Sequence, residues 1–165
     1  MDLHDLPRLN LPPYGAQLRA AAGGAVQIHD AVRARWVALT PEEWVRQHFV
    51  NMLTTQLGYS PFRIANETAI AVNGRRRRID TVIFSPNSRP LMLIEYKAPH
   101  IPITQRVIDQ VARYNIVCMA PWLAVSNGLR TVCLHFHTFG DTLNPPQVSF
   151  VDTFPSYNQL MEEQK

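Results

Sequence analysis

Two acidic residues and a lysine interrupt runs that otherwise look buried. Asp80 lies inside IDTVIF, and Glu95 and Lys97 bracket Tyr96 at the end of LMLIEYK. Short apolar, β-branched runs read as strands, and charged side chains are seldom buried there without a partner. The two runs flank the turn-rich SPNSRP, so residues 79–84 and 91–96 read as an antiparallel hairpin. Counting outward symmetrically from the loop sets Phe84 against Leu91 and Asp80 against Glu95. Directly opposed residues have Cβ atoms about 4.5–5.5 Å apart, and like charges there repel. Lys97 shares the face of Glu95, because side chains alternate along a strand. A hard divalent cation between the carboxylates would relieve the repulsion, and such an oxygen-lined site suits Mg²⁺, or Mn²⁺ in its place. The same repulsion predicts that Asp80→Asn melts higher than the unaltered protein in EDTA. The plainer reading is a solvated strand end with a same-face Glu95–Lys97 ion pair.

Neighbouring elements must hold this hairpin in place. Asn73-Gly74 joins a strand over 67–72 to the run Arg75, Arg76, Arg77 and Arg78. That register sets Glu67 against Asp80, a third carboxylate for the site unless a bulge intervenes. The arginines serve either as a charged hairpin end or as phosphate contacts beside the site. Upstream, Thr40-Pro41-Glu42-Glu43 opens a helix with a capping box and a proline in the first turn. Trp44, Val45, His48, Phe49, Met52, Leu53 and Leu57 form its apolar face, and Gly58 ends it. The cap accounts for Glu43; the alternative is a carboxylate presented to the metal. His48 reads as core. Downstream, a helix over 104–119 carries Gln110 and Tyr114 on one face. Strands follow over 122–125 and 131–139, and His135 and His137 on the latter read as structural.

The order is α, three antiparallel strands, α, β and one further strand, which predicts an α/β fold with a mixed sheet flanked by helices. One domain over 1–165 is expected, with an N-terminal arm over 1–39, a core over about 40–139 and a tail over 140–165. The arm is expected to be extended, with a short strand at 26–28 and a helical turn from Asp30 through Trp36. The tail reads as Pro-rich and then weakly helical. Hydrophobic residues make up 46% and charged residues 18%, as in a globular chain. No apolar run is long enough to span a bilayer, and the N-terminus lacks the pattern of a signal peptide. Cys118 and Cys133 read as buried thiols, so a reducing, cytoplasmic setting is expected. The net charge of +3 is compatible with a nucleic-acid partner without establishing one.

An Asp on one strand and Glu-x-Lys on the next resembles the PD-(D/E)xK nuclease core, with Ile79-Asp80 in place of Pro-Asp. A wider resemblance is carried by LNLPPY, LTPEEWVRQHFVNML, GYS, RRRRID, LIEYKAP, DQVARYN and VSNG, from about Leu9 to Gly128. Together these are similar to the N-terminal nuclease domain of type I restriction enzyme R subunits (HsdR-type), in a short stand-alone form. The resemblance implies a restriction-endonuclease-like αβββαβ core with Asp80, Glu95 and Lys97 as the catalytic set. It also implies a Q-x-x-x-Y element at Gln110 and Tyr114 facing nucleic acid, and a helix glutamate at Glu43. The family often has Cys where this chain has Tyr96, a position that points away from the metal. No G-x-x-x-x-G-K-[S/T] phosphate loop occurs, so neither ATP use nor translocation is expected of this chain.

The expected function is Mg²⁺-dependent hydrolysis of nucleic-acid phosphodiesters, DNA favoured, with Arg75, Arg76, Arg77, Arg78, Gln110 and Tyr114 binding nucleic acid. The alternative is a non-cleaving nucleic-acid-binding or assembly module on the same fold. A homodimer or a partner subunit is left open, and no membrane partner is expected.

Overall fold

The computed structural model describes residues 6–72, 75–140 and 144–162. Residues 18–38 build a small antiparallel sheet where the sequence suggested an extended arm. Its strands are β1 (Leu18–Ala20), β2 (Val26–Asp30) and β3 (Arg35–Ala38), in that spatial order. The helical turn expected after Asp30 is instead the tight connection between β2 and β3, and Asp30 pairs with Arg35 across it. Asp30 Oδ1 accepts from the backbone N–H of Arg33 at 2.8 Å, the local bond by which a short acidic side chain stabilises a turn.

Helix α1 (Pro41–Thr55) starts as expected: Thr40 is the N-cap and its hydroxyl accepts from the N–H of Glu43 at 3.0 Å. Gly58, just past the helix end, takes a left-handed φ of 73°. There follow β4 (Ile64–Val72), β5 (Arg75–Phe84), β6 (Pro90–Tyr96), α2 (Gln105–Cys118), β7 (Trp122–Ser126), β8 (Thr131–Thr138), β9 (Gln147–Val151) and α3 (Tyr157–Glu162). The six strands β4 to β9 form one sheet in sequence order. Only β6 and β7 pair in parallel, because α2 crosses between them; the other neighbours are antiparallel. The tail adds β9, which the sequence did not suggest, and the weak helix expected there is α3.

Alternation along the strands divides the core. Val45, Phe49 and Leu53 of α1 pack with Met92, Ile94, Tyr96 and Ala124 on one face. Ile108 and Val111 of α2 pack with Leu123, Val125, Val132 and Leu134 on the other. The LNLPPY segment lies over VSNG: the N–H of Asn10 donates to the Gly128 carbonyl at 2.7 Å, and a Cβ on Gly128 would fall 2.7 Å from Leu9 Cδ2. Among the described residues no helix is long and apolar enough to cross a membrane.

Candidate active site

The register of β5 and β6 brings the acidic residues toward each other. Thr81 pairs with Ile94, Val82 with Leu93 and Ile83 with Met92, as symmetric counting requires. The register slips at the loop, where Phe84 meets Pro90 rather than Leu91. At the other end Asp80 Oδ2 accepts from the backbone N–H of Tyr96 at 2.9 Å, so a side chain takes over a position where the ladder would continue. Ile79 and Val82 pack in one apolar cluster although three residues apart, so strict alternation is broken around Asp80. Tyr96 itself is fully buried against Phe49, on the α1 face.

Glu95 is the most perturbed carboxyl. Its Oε1 accepts from Lys97 Nζ at 2.9 Å, while its buried Oε2 has no hydrogen-bond partner among the described residues. Burial, and then the charge of Asp80, push its pKa up to about 7 against the opposing pull of Lys97. Burial draws the Lys97 amine down, but its bond to Glu95 and the charges of Glu95, Asp80 and Glu42 outweigh this and hold it above its ordinary value. Lys97 is anchored through its backbone N–H, which donates to the Ser126 carbonyl at 2.9 Å.

Glu67 and Glu43 stand elsewhere in the network. Asn66–Thr81 and Thr68–Ile79 pairs bracket Glu67, so the hairpin register does set it across from Asp80. Its backbone, however, is left-handed at φ 58°, a conformation costing roughly 1–3 kcal/mol in a non-glycine residue. Its carboxylate goes to Arg33 at 2.6 Å, with Arg46 and Arg78 each at 3.5 Å. Glu43 accepts from Arg33 and Arg46 at 2.8 Å each and from Gln47 at 2.7 Å. Its side chain thus serves arginines rather than reciprocating the helix cap. Attraction to cations explains both placements, which bring neither residue into the Asp80–Glu95 pair.

Two side chains that the sequence did not single out border the pair. Arg46, buried on α1, donates from Nη2 to Asp80 Oδ1 at 2.8 Å. Glu42, in the first turn of α1, is held above the ordinary carboxylate range by burial and then by Asp80, against Lys97 and Arg46. Glu42 also lines a polar cleft with Arg33, Arg35, Arg46, Glu67 and Arg78. The T-x-x-E signal drew attention to Glu43; the neighbouring Glu42 also interacts with Asp80 and Lys97.

Arg76, Arg77 and Arg78 are exposed on β5. Gln110 is exposed on α2. The Asn73-Gly74 turn and the side chains of Arg75 and Tyr114 lie outside the described residues. His48 is buried, donates from Nδ1–H to the Trp44 carbonyl at 2.9 Å, and packs edge-on against Tyr14 and Trp44, as a core histidine should. His135 stacks on Trp122, and His135 and His137 meet ring to ring.

No three His, Cys, Asp or Glu side chains among the described residues form a group that could hold a metal by themselves. Two carboxylates are nevertheless enough for Mg²⁺, which usually keeps several waters and completes its shell with substrate phosphate. The unpartnered oxygen of Glu95 fits such a cation: it is a hard, desolvated acceptor beside a second carboxylate.

A search of curated protein sequences finds no match. A fragment structure described as an HsdR subunit of a type I restriction enzyme from Vibrio vulnificus YJ016 superposes with a TM-score of 0.53 at 16% identity. The match covers 76% of this chain and 25% of that one, so this chain spans about a quarter of that solved chain, and the likeness concerns the fold. Residues 41–155 match the family described as Type I restriction enzyme R protein N terminus, and the chain belongs to that family.

Proposed function

We propose that this chain is a divalent-cation-dependent nuclease that hydrolyses phosphodiester bonds, with DNA the favoured substrate. The observation that carries the reading is the buried, unpartnered Oε2 of Glu95 beside the charge of Asp80 and the amine of Lys97. A desolvated carboxylate of this kind needs either a proton or a cation. The element order α1-β4-β5-β6-α2-β7 supports a restriction-endonuclease-like core with these residues at its strand ends.

Asp80 and Glu95 would hold Mg²⁺ or Mn²⁺. The bound cation would polarise the scissile phosphate and lower the pKa of the attacking water. Lys97, kept protonated in the free protein, orients that water and offsets charge building on the phosphoryl oxygens. A lysine held cationic is better suited to that role than to removing a proton. Arg76, Arg77 and Arg78 supply exposed guanidinium groups for flanking phosphates, and Gln110 adds a polar contact from α2. The family is that of one protein of a type I restriction enzyme, which makes a partner subunit the natural setting for this activity.

One observation favours the alternative of a non-cleaving binding module. Arg46 already neutralises Asp80, as a structural ion pair would. Incubation with plasmid, linear and single-stranded DNA and with RNA, in Mg²⁺ or Mn²⁺, separates the two. Metal-dependent cleavage of at least one substrate, lost in Lys97→Ala, is expected. Equal cleavage by the variant removes Lys97 from the mechanism, and no cleavage of any substrate favours the binding module.

A further inference from the structure

Asp80 is tied to a part of the chain that precedes the family-matched residues. Asp30, at the end of β2, pairs with Arg33 Nε. Arg33 Nη2 donates to Glu43 Oε1 at 2.8 Å, and Arg46 Nη1 donates to Glu43 Oε2 at 2.8 Å. Arg46 Nη2 then reaches Asp80 Oδ1 at 2.8 Å. Charge alternates at every step, from Asp30 to Arg33, Glu43, Arg46 and Asp80. No side chain in the series is more than 12% exposed.

This arrangement is more than a cluster of ion pairs. A guanidinium is planar and presents its donors in a fixed fork, so each arginine sets the direction of more than one carboxylate at once. Arg33 bridges Asp30, Glu43 and Glu67, while Arg46 bridges Glu43 and Asp80. The Asp30–Arg33–Glu43–Arg46–Asp80 side chains are largely shielded from water, and Glu67, at 22% exposed, is the most open of the partners. Asn66 Nδ2 donates to Asp30 Oδ2 at 3.0 Å, which anchors the far end on β4. Only one Asp80 oxygen is used by the relay; the other faces the Tyr96 N–H, on the strand that carries Glu95.

We propose that Arg33 and Arg46 are positioning residues that fix the direction in which Asp80 presents its carboxylate to the cation. On this view the sheet β1–β3 is a working part of the site, and residues 41–155 alone would present it poorly. The inference rests on the nuclease reading of Asp80 and Glu95. Neither arginine is assigned a contact with substrate; both act through Asp80.

The test is Mn²⁺ binding to the full chain, followed by titration calorimetry, with circular dichroism confirming the fold of each variant. Arg33→Lys keeps the charge and removes the fork. Asp30→Asn keeps the shape and removes the charge at the far end, so it decides the matter should Arg33→Lys not fold. Partners of metal-binding side chains commonly contribute 10–100-fold to affinity, so each variant should bind Mn²⁺ about tenfold more weakly at unchanged stoichiometry. A purely structural relay would lower the melting temperature and leave the Kd of the folded protein as it is in wild type. That result overturns the proposal. Asp80→Asn is the control: if wild type binds Mn²⁺ and this variant binds it equally, the nuclease reading fails, which is a different outcome from failure of the relay.

Discussion

Replacing Glu95 by Gln should stabilise the metal-free protein at pH 8 and change it far less at pH 5. Burial and then the charge of Asp80 push the Glu95 carboxyl from 4.5 up to about 7. Between these values the folded chain holds a proton that the unfolded chain has released. The associated stability is fully present below about pH 4.5 and is lost as pH rises through about 7. At about 1.4 kcal/mol per tenfold change in proton affinity, the loss between pH 5 and pH 8 comes to roughly 2–3 kcal/mol. Gln carries no charge at either pH and still accepts from Lys97. The gap between Glu95→Gln and wild type should therefore widen by that amount over the interval. For a chain of this size that is roughly 5–10 °C in melting temperature, read by thermal unfolding in EDTA at matched ionic strength. Taking the difference between the two proteins cancels histidines and other groups that titrate in both. A gap that stays constant, or narrows as pH rises, would refute the argument that Glu95 is desolvated and repelled.

Three further outcomes are expected. Repulsion alone predicts that Asp80→Asn melts higher in EDTA, but Arg46 reverses the sign: removing its buried partner should cost about 1–3 kcal/mol, and the variant should lose most of the Mn²⁺-induced rise in melting temperature seen in wild type. Gly128→Ala should cost about 2–4 kcal/mol in denaturant titrations, because φ is +78° and the new methyl would meet Leu9 Cδ2 at 2.7 Å and Val45 Cγ2 at 3.2 Å. Arg76→Ala with Arg77→Ala should weaken DNA binding across sequences and lower the slope of log affinity against log salt by about two in fluorescence anisotropy; an unchanged slope would mean that these arginines touch no phosphate.

Local signals were legible where they repeat or close on themselves. The six-residue loop set the β5–β6 register correctly for Thr81, Val82 and Ile83, and Thr40 marked the start of α1. The slip at Phe84 and Pro90 is a matter of how the loop closes, which counting residues does not capture. The short strand expected at 26–28 is part of β2, whereas β1 and β3 are three and four residues long, too short to show a period, and β9 follows Pro145-Pro146, which reads as loop. Partners were the least legible feature. A capping motif gives a role to Glu43 without indicating that Arg33 and Arg46 will claim its carboxylate. Arg46 looks like a solvent-facing helix residue until Asp80, far along the chain, and the β2–β3 turn close over it. Glu67 illustrates the same limit: its register was readable, but its left-handed backbone answers to arginines that the hairpin alone does not contain.

The most direct test of the central claim is the position of a bound cation. Crystals of the full chain grown with Mn²⁺, with data collected near the manganese absorption edge, should give an anomalous peak between the carboxylates of Asp80 and Glu95, with Lys97 beside it. A peak at another site, or none at these carboxylates under conditions in which the protein cleaves DNA, would contradict the account.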